Sequence, residues 1–228
     1  MKRIFLYSFL LISIGELVAI TTDMEWLTHI CKPLIMLTLG FYYVSAVARE
    51  DRSATLIGAV LLSCAGDTLL MFANDGNAFF MYGLLAFMVS HVLYILTYRQ
   101  HQNEETDNRL RGIHRVRFAF PIVLAGTGLM IVLYPVLGDL KFPVLIYTLV
   151  LVFMALSALF RYGRTNTTSF ALVFGGAVLF VISDSILAIN KFLEPIRGSV
   201  FLIMFTYIVA QYCIVQGLLV HRLSVNHN

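Results

Sequence analysis

Charge is scarce in this chain. Of its 228 residues only 13% are Asp, Glu, Lys or Arg, 59% are hydrophobic, and the mean hydropathy is +0.84. Soluble globular domains carry about 25% charged residues, so a water-soluble fold is excluded. Cysteine is scarce as well: Cys31, Cys64 and Cys213 are odd in number, lack CxxC spacing and fall at or within apolar stretches. That excludes a disulfide framework or a zinc site and leaves three small buried hydrophobes. Also missing are a His-Glu-x-x-His pair, a Gly-x-Ser-x-Gly elbow, a phosphate-binding loop and a Gly-x-Gly-x-x-Gly turn. Zinc hydrolysis, esterase nucleophiles and nucleotide binding therefore have no support, and carboxylates are the chemistry left. Long polar stretches are nearly absent; the single one runs from Arg99 to Arg117.

What is present is hydrocarbon. At about 20 apolar residues per crossing, the chain predicts eight spans near 4–20, 30–48, 54–72, 78–98, 116–137, 142–160, 169–190 and 200–220. The expected fold is all-α, a polytopic bundle of eight transmembrane helices forming one integral membrane domain over 1–228, with no soluble domain left over. Lys2-Arg3 before an apolar run has the look of a signal peptide, but Glu16 interrupts the run and no small-x-small cleavage site follows, so it reads as the first span. Lys2, Arg3, Arg49, Arg52, Arg99, Arg109, Arg111, Arg115, Arg117, Arg161, Arg164 and Arg222 all fall on one side of such a bundle. The positive-inside rule then makes both termini cytoplasmic, and the net charge of +3 calls for no nucleic acid. Arg109 to Arg117 reads first as the same bias and second as an anionic-lipid contact. Asn166-Thr167-Thr168 is a formal glycosylation sequon on the cytoplasmic side, and carries no weight there.

Against this background two acids stand out. Asp67 in Gly66-Asp67-Thr68-Leu69-Leu70 and Asp184 in Ser183-Asp184-Ser185-Ile186-Leu187 occupy matching apolar contexts. A carboxylate in hydrocarbon is expensive, so its duplication points to a polar interior that uses it. The polar stretch splits the chain into two four-helix halves, and the offset of 117 residues that lays Asp67 on Asp184 also lays Tyr94 on Gln211 and Ser90 on Tyr207. Two parallel four-helix repeats are the expectation, with shared chemistry where the halves meet. Span limits put both acids about 8 to 9 Å below the outer edge at 1.5 Å per residue, in one layer with Glu16 and Lys32. His91 with Tyr94, and Tyr207 with Gln211, are spaced to share a helical face and point inward. Asn190-Lys191 closes the seventh span at the surface. The bland alternatives are a structural hydrogen bond for each acid and an interhelical bond for His91, Tyr94, Tyr207 and Gln211. For Lys32 before a helix-starting Pro33 it is snorkelling, for Glu16 a pairing with Lys32, and for Asn190-Lys191 a cap and interface anchor.

The ordered set Lys32-Pro33, Ser63-x-x-Gly66-Asp67, Gly83-Leu84-x-x-Phe87-x-x-x-His91-x-x-Tyr94, Ser183-Asp184 with Ala188-Ile189-Asn190-Lys191-Phe192, and Tyr207-x-x-Ala210-Gln211 resembles the YhhN-like lysoplasmalogenase family over nearly the whole chain. The resemblance implies an eight-helix membrane hydrolase that cleaves the vinyl ether bond of lysoplasmalogens to a fatty aldehyde and a glycerophospho-alcohol. No metal or organic cofactor is implied; the partner is a lysophospholipid with a vinyl ether chain, among membrane lipids. Vinyl ether cleavage needs an acid to protonate carbon and a base to activate water, the roles assigned to Asp67 and Asp184. Lys32, His91, Tyr94, Asn190, Lys191, Tyr207 and Gln211 are the expected substrate-binding residues. The host is expected to be a bacterial inner membrane, or alternatively the endoplasmic reticulum. The rival function is a proton-coupled transporter, since intramembrane acids and repeated halves also mark ion pathways. Against it, no span carries a Gly or Pro interruption at matching positions of both halves.

Overall fold

The computed structural model describes residues 2–73, 77–103 and 110–225. Glu104 to Arg109 of the polar stretch, including the basic Arg109, lie outside them. The helices are α1 (Lys2–Thr21), α2 (Glu25–Ala46), α3 (Ala54–Met71), α4 (Asn77–Gln100), α5 (Gly112–Leu133), α6 (Lys141–Leu159), α7 (Thr167–Phe192) and α8 (Ser199–Val225), with short 3-10 turns at Arg49–Asp51 and Gly138–Leu140. All eight are long and apolar enough to cross a bilayer, and among the described residues there is no strand. Large apolar side chains face outward: Leu11 and Ile14 on α1, and Phe118, Phe120 and Leu124 on α5, are all exposed. On α5 only Gly126 and Leu133 are buried. Such a coat suits lipid and not water, and the chain is an integral, multi-pass membrane protein. Span identity follows the sequence, while several boundaries shift: α5 spans Gly112–Leu133 against the expected 116–137, and α7 and α8 run on to Phe192 and Val225. α2 begins at Glu25 and not near residue 30, so Pro33 sits inside the helix and does not start it. Its missing N–H removes the donor that the His29 carbonyl would otherwise meet.

The helices gather into two compact units, 1–97 and 98–228, divided within the last turn of α4. In the first, Phe9, Ser13, Glu16 and Ala19 form the buried stripe of α1, and Gly15 lets α1 approach Cys31 of α2. Gly40 admits Val60 between α2 and α3. In the second, a cluster of Leu133, Leu137 and Val144 with Leu129, Met130, Ala188 and Phe192 ties the end of α5 and the start of α6 to α7. At the other end Arg161 is wholly buried: its Nη2 donates to the His101 carbonyl and to Ser169 Oγ, each at 3.0 Å. One guanidinium thus joins the end of α4, the end of α6 and the first turn of α7. Burial pulls its pKa down to about 10, so it remains a cation at neutral pH.

One contact across the α3–α4 hairpin has a counterpart across α7–α8 once 117 residues are added. Ser63 Oγ lies 2.8 Å from Ser90 Oγ, and at the corresponding positions Phe180 meets Tyr207 edge-on with ring centroids 5.5 Å apart. Gly66 is so close to Phe87 that a Cβ would meet its ring at 2.6 Å, whereas Ser183, 117 residues after Gly66, donates from Oγ to the Ile203 carbonyl at 3.0 Å. One residue pair of the two hairpins thus falls at the same offset, with different contact chemistry.

Candidate active site

In the first unit the acids sit on helix faces turned from lipid. Asp67 is buried, one helical turn after Ser63. Ser90 Oγ donates to the Ala59 carbonyl at 2.8 Å, so in the Ser63–Ser90 bond it is Ser63 that donates. Cys64 Sγ donates to the Pro33 carbonyl at 3.4 Å, bringing the Lys32-Pro33 step of α2 against the turn of α3 that carries Asp67. Glu16 is fully buried, and neither carboxylate oxygen has a hydrogen-bond partner. Lys32 and His29 are the basic residues nearest it in effect, and His29 Nδ1 lies 2.7 Å from the Glu25 carbonyl. His91 and Tyr94 are completely buried on α4, His91 beside the Phe87 ring at 6.5 Å.

In the second unit the Tyr147 hydroxyl of α6 donates to Asp184 Oδ2 of α7 at 2.5 Å. Asp184 is half-buried and Tyr147 buried, so the bond stands where water competes weakly. Tyr207 and Gln211 lie one turn apart on α8, both buried. Asn190 Oδ1 accepts from the Ile196 N–H at 3.0 Å and from Ser199 Oγ at 2.7 Å, closing the loop between α7 and α8. Lys191 beside it is exposed.

Each unit thus contributes an intramembrane acid with its own neighbours. The first holds Asp67 and Ser63 on α3, and Glu16 of α1 near Lys32 of α2, while the second pairs Asp184 with Tyr147. The acids are not equally far from their helix ends: Asp67 is four residues from the end of α3 and Asp184 eight from the end of α7. At 1.5 Å per residue this is about 6 and about 12 Å, because α7 runs past its expected limit. Tyr147 escaped sequence reading. Its signal was a phenol within an apolar span, where a buried hydroxyl requires a partner.

The match to a family decides the relationship. The YhhN family model covers residues 27–218. The chain belongs to the YhhN family. Its similar relatives carry one activity in their names. Human lysoplasmalogenase TMEM86A is 29% identical over 214 residues, 91% of this chain and 82% of the relative. Pig (Sus scrofa) lysoplasmalogenase TMEM86B is 29% identical over 190 residues, 83% of this chain and 74% of the relative. The lysoplasmalogenase of Mycobacterium tuberculosis is 31% identical over 173 residues, 75% of this chain and 62% of the relative. No solved structure matches the chain. Membership of the YhhN family places Asp67, Asp184 and Tyr147 all inside the matched region.

Proposed function

We propose that this membrane protein is a lysoplasmalogenase, hydrolysing the vinyl ether of a lysoplasmalogen with Asp67 and Asp184 as acid and base. The observation that carries this reading is the Tyr147–Asp184 hydrogen bond, found in a chain whose relatives are named lysoplasmalogenases. Those names favour a hydrolase over a proton-coupled transporter. Oδ2 accepts from Tyr147, so Asp184 is the member assigned the base role, and Asp67 donates the proton. Asp67 protonates the outer alkene carbon, giving an oxocarbenium ion that the Asp184 carboxylate stabilises. Asp184 then takes a proton from water as its oxygen bonds to the cationic carbon. In the resulting hemiacetal the Asp67 carboxylate takes the hydroxyl proton as the C–O bond to the glycerol breaks, and Asp184 gives its proton to the departing glycerol oxygen, so that aldehyde and alcohol leave, both acids return to their starting forms and one water is consumed. Lys32 is assigned the phosphate, and His91, Tyr94, Tyr207 and Gln211 the glycerol oxygens and water. Asn190 contributes its amide nitrogen alone, its oxygen being held by the loop. Lys191 meets the headgroup at the surface. Both termini are assigned to the cytoplasm and the protein to a bacterial inner membrane.

The test is aldehyde release by purified protein from a defined 1-alkenyl lysophosphatidylethanolamine, with the saturated-ether lipid as control. Wild type should release aldehyde from the vinyl ether only, and Asp67→Asn and Asp184→Asn should each lose about a hundredfold or more. No aldehyde from wild type, or full activity in either variant, overturns the assignment.

A further inference from the structure

The basic end of the second unit contains two adjoining cavities remote from Asp184. One, of about 160 Å³, is lined by Arg99, Gln102, Arg115, Ser157 and Arg164, with Leu110 and Phe160. The other, of about 530 Å³, is apolar, lined by Phe118, Leu159, Phe170 and Phe174, with Arg111 and His114 at its polar edge. Leu110 lines both.

Three guanidinium groups reach the smaller cavity from three elements: the end of α4, the first turn of α5 and the loop after α6. Among the described residues no carboxylate lines it. Like charges gathered in this way repel one another, and an anion between them removes the repulsion. The cations are also held in place. The Arg115 guanidinium lies 4.0 Å over the Phe160 ring, and the Asn103 N–H donates to the Arg164 carbonyl at 2.9 Å. Beneath them, in the same turn as Arg164, the buried Arg161 adds a fourth positive charge, and its Nη1 has no hydrogen-bond partner. Guanidinium forks with Ser and amide donors match phosphate oxygens. The adjoining cleft supplies what a free phosphate would not need: aromatic walls continuous with the lipid-facing side of α5, where Phe118 and Phe120 are exposed.

We infer that this end of the second unit binds one anionic phospholipid, its phosphate among Arg99, Arg115 and Arg164 and an acyl chain along Phe118, Phe170 and Phe174. The site is not the headgroup pocket of the proposed reaction. Ser157 is ten residues beyond Tyr147 on α6, and Phe174 ten residues before Asp184 on α7, about 15 Å along each helix. The inference therefore stands independently of the hydrolase reading.

Native mass spectrometry of the delipidated full chain in detergent tests it, with dioleoyl phosphatidylglycerol, dioleoyl phosphatidylcholine and inorganic phosphate as probes. One phosphatidylglycerol should bind at least tenfold more tightly than phosphatidylcholine. The preference should vanish in Arg115→Gln/Arg164→Gln and survive in Arg49→Gln/Arg117→Gln, which removes the same charge outside the cavity. Phe160→Leu, which takes away the ring under Arg115 without altering charge, should weaken phosphatidylglycerol severalfold and serves if the double variant does not fold. Equal binding of the two lipids, a preference that survives the cavity variants, or displacement by inorganic phosphate at equal concentration overturns the inference.

Discussion

Asp184 accepts the Tyr147 hydroxyl on Oδ2, so that oxygen carries no proton while the bond stands. Removing a hydrogen bond to a charged group costs about 1.5–3 kcal/mol, which is about 10- to 150-fold in rate if the bond is retained in the transition state. Tyr147→Phe should therefore lower kcat for aldehyde release by that order with little change in thermal midpoint, and unchanged kcat would remove Tyr147 from the mechanism. Glu16 presents a separate test. Its carboxylate is buried without hydrogen-bond partners, and Lys32 is the first of the cations acting on it. Lys32→Ala alone should be destabilising because it strands a buried charge, while Lys32→Ala with Glu16→Gln should recover part of the loss. Denaturation midpoints of the four forms give the coupling; additive effects would show that the two do not interact. Arg161 follows similar logic. Arg161→Met leaves the His101 carbonyl and Ser169 hydroxyl without their cation and should cost on the order of 3 kcal/mol in stability. Asp67, Asp184, Glu16 and Lys32 were legible in sequence because a charge inside an apolar run is conspicuous. Tyr147 and Arg161 were not, since a tyrosine in a span and an arginine at a helix end are commonplace until their partners are known.

At the scale of the helices, spans could be read from apolar length, whereas their packing depended on small residues whose partners lie far along the chain. Gly66 faces Phe87, and Gly176 faces the Ala210 carbonyl so closely that a Cβ would meet it at 2.8 Å. The obstacle at Gly176 is backbone, which cannot rotate aside, while at Gly66 it is a ring. Both Gly66→Ala and Gly176→Ala should destabilise, by about 1–3 kcal/mol, with Gly176→Ala the worse of the two. Thermal unfolding in detergent would show it; a neutral Gly176→Ala would mean that α7 and α8 can separate at no cost. The position of Pro33 has a related lesson. Proline near an expected span start reads as a first-turn residue, yet α2 extends eight residues further toward its N-terminus. The amphipathic Glu25-Trp26-Leu27-Thr28-His29 segment is too polar to count as span but helical enough to continue one.

For the molecule as a whole, each of the two units carries its own intramembrane aspartate, Asp67 in one and Asp184 in the other. If both acids serve one reaction, Asp67→Asn/Asp184→Asn should be no worse than the poorer single variant, because residues that act together are not additive. Multiplying losses would indicate independent roles. Orientation is testable by a C-terminal fluorescent-protein fusion, expected to fluoresce from the cytoplasm as the arginine distribution requires. Composition by itself determined the solvent of this protein: so little charge and so much apolar length leave a bilayer as the sole stable environment, with eight helices to satisfy every backbone group within it. It also determined which carboxylates are too costly to be incidental. What only the tertiary structure decided was the company each polar group keeps: Tyr147 with Asp184, Ser63 with Ser90, Arg161 with the ends of three helices, and three arginines around one cavity. Burial energy is written in residue type and can be summed along the chain, but a hydrogen bond or a shared anion depends on which distant residues meet.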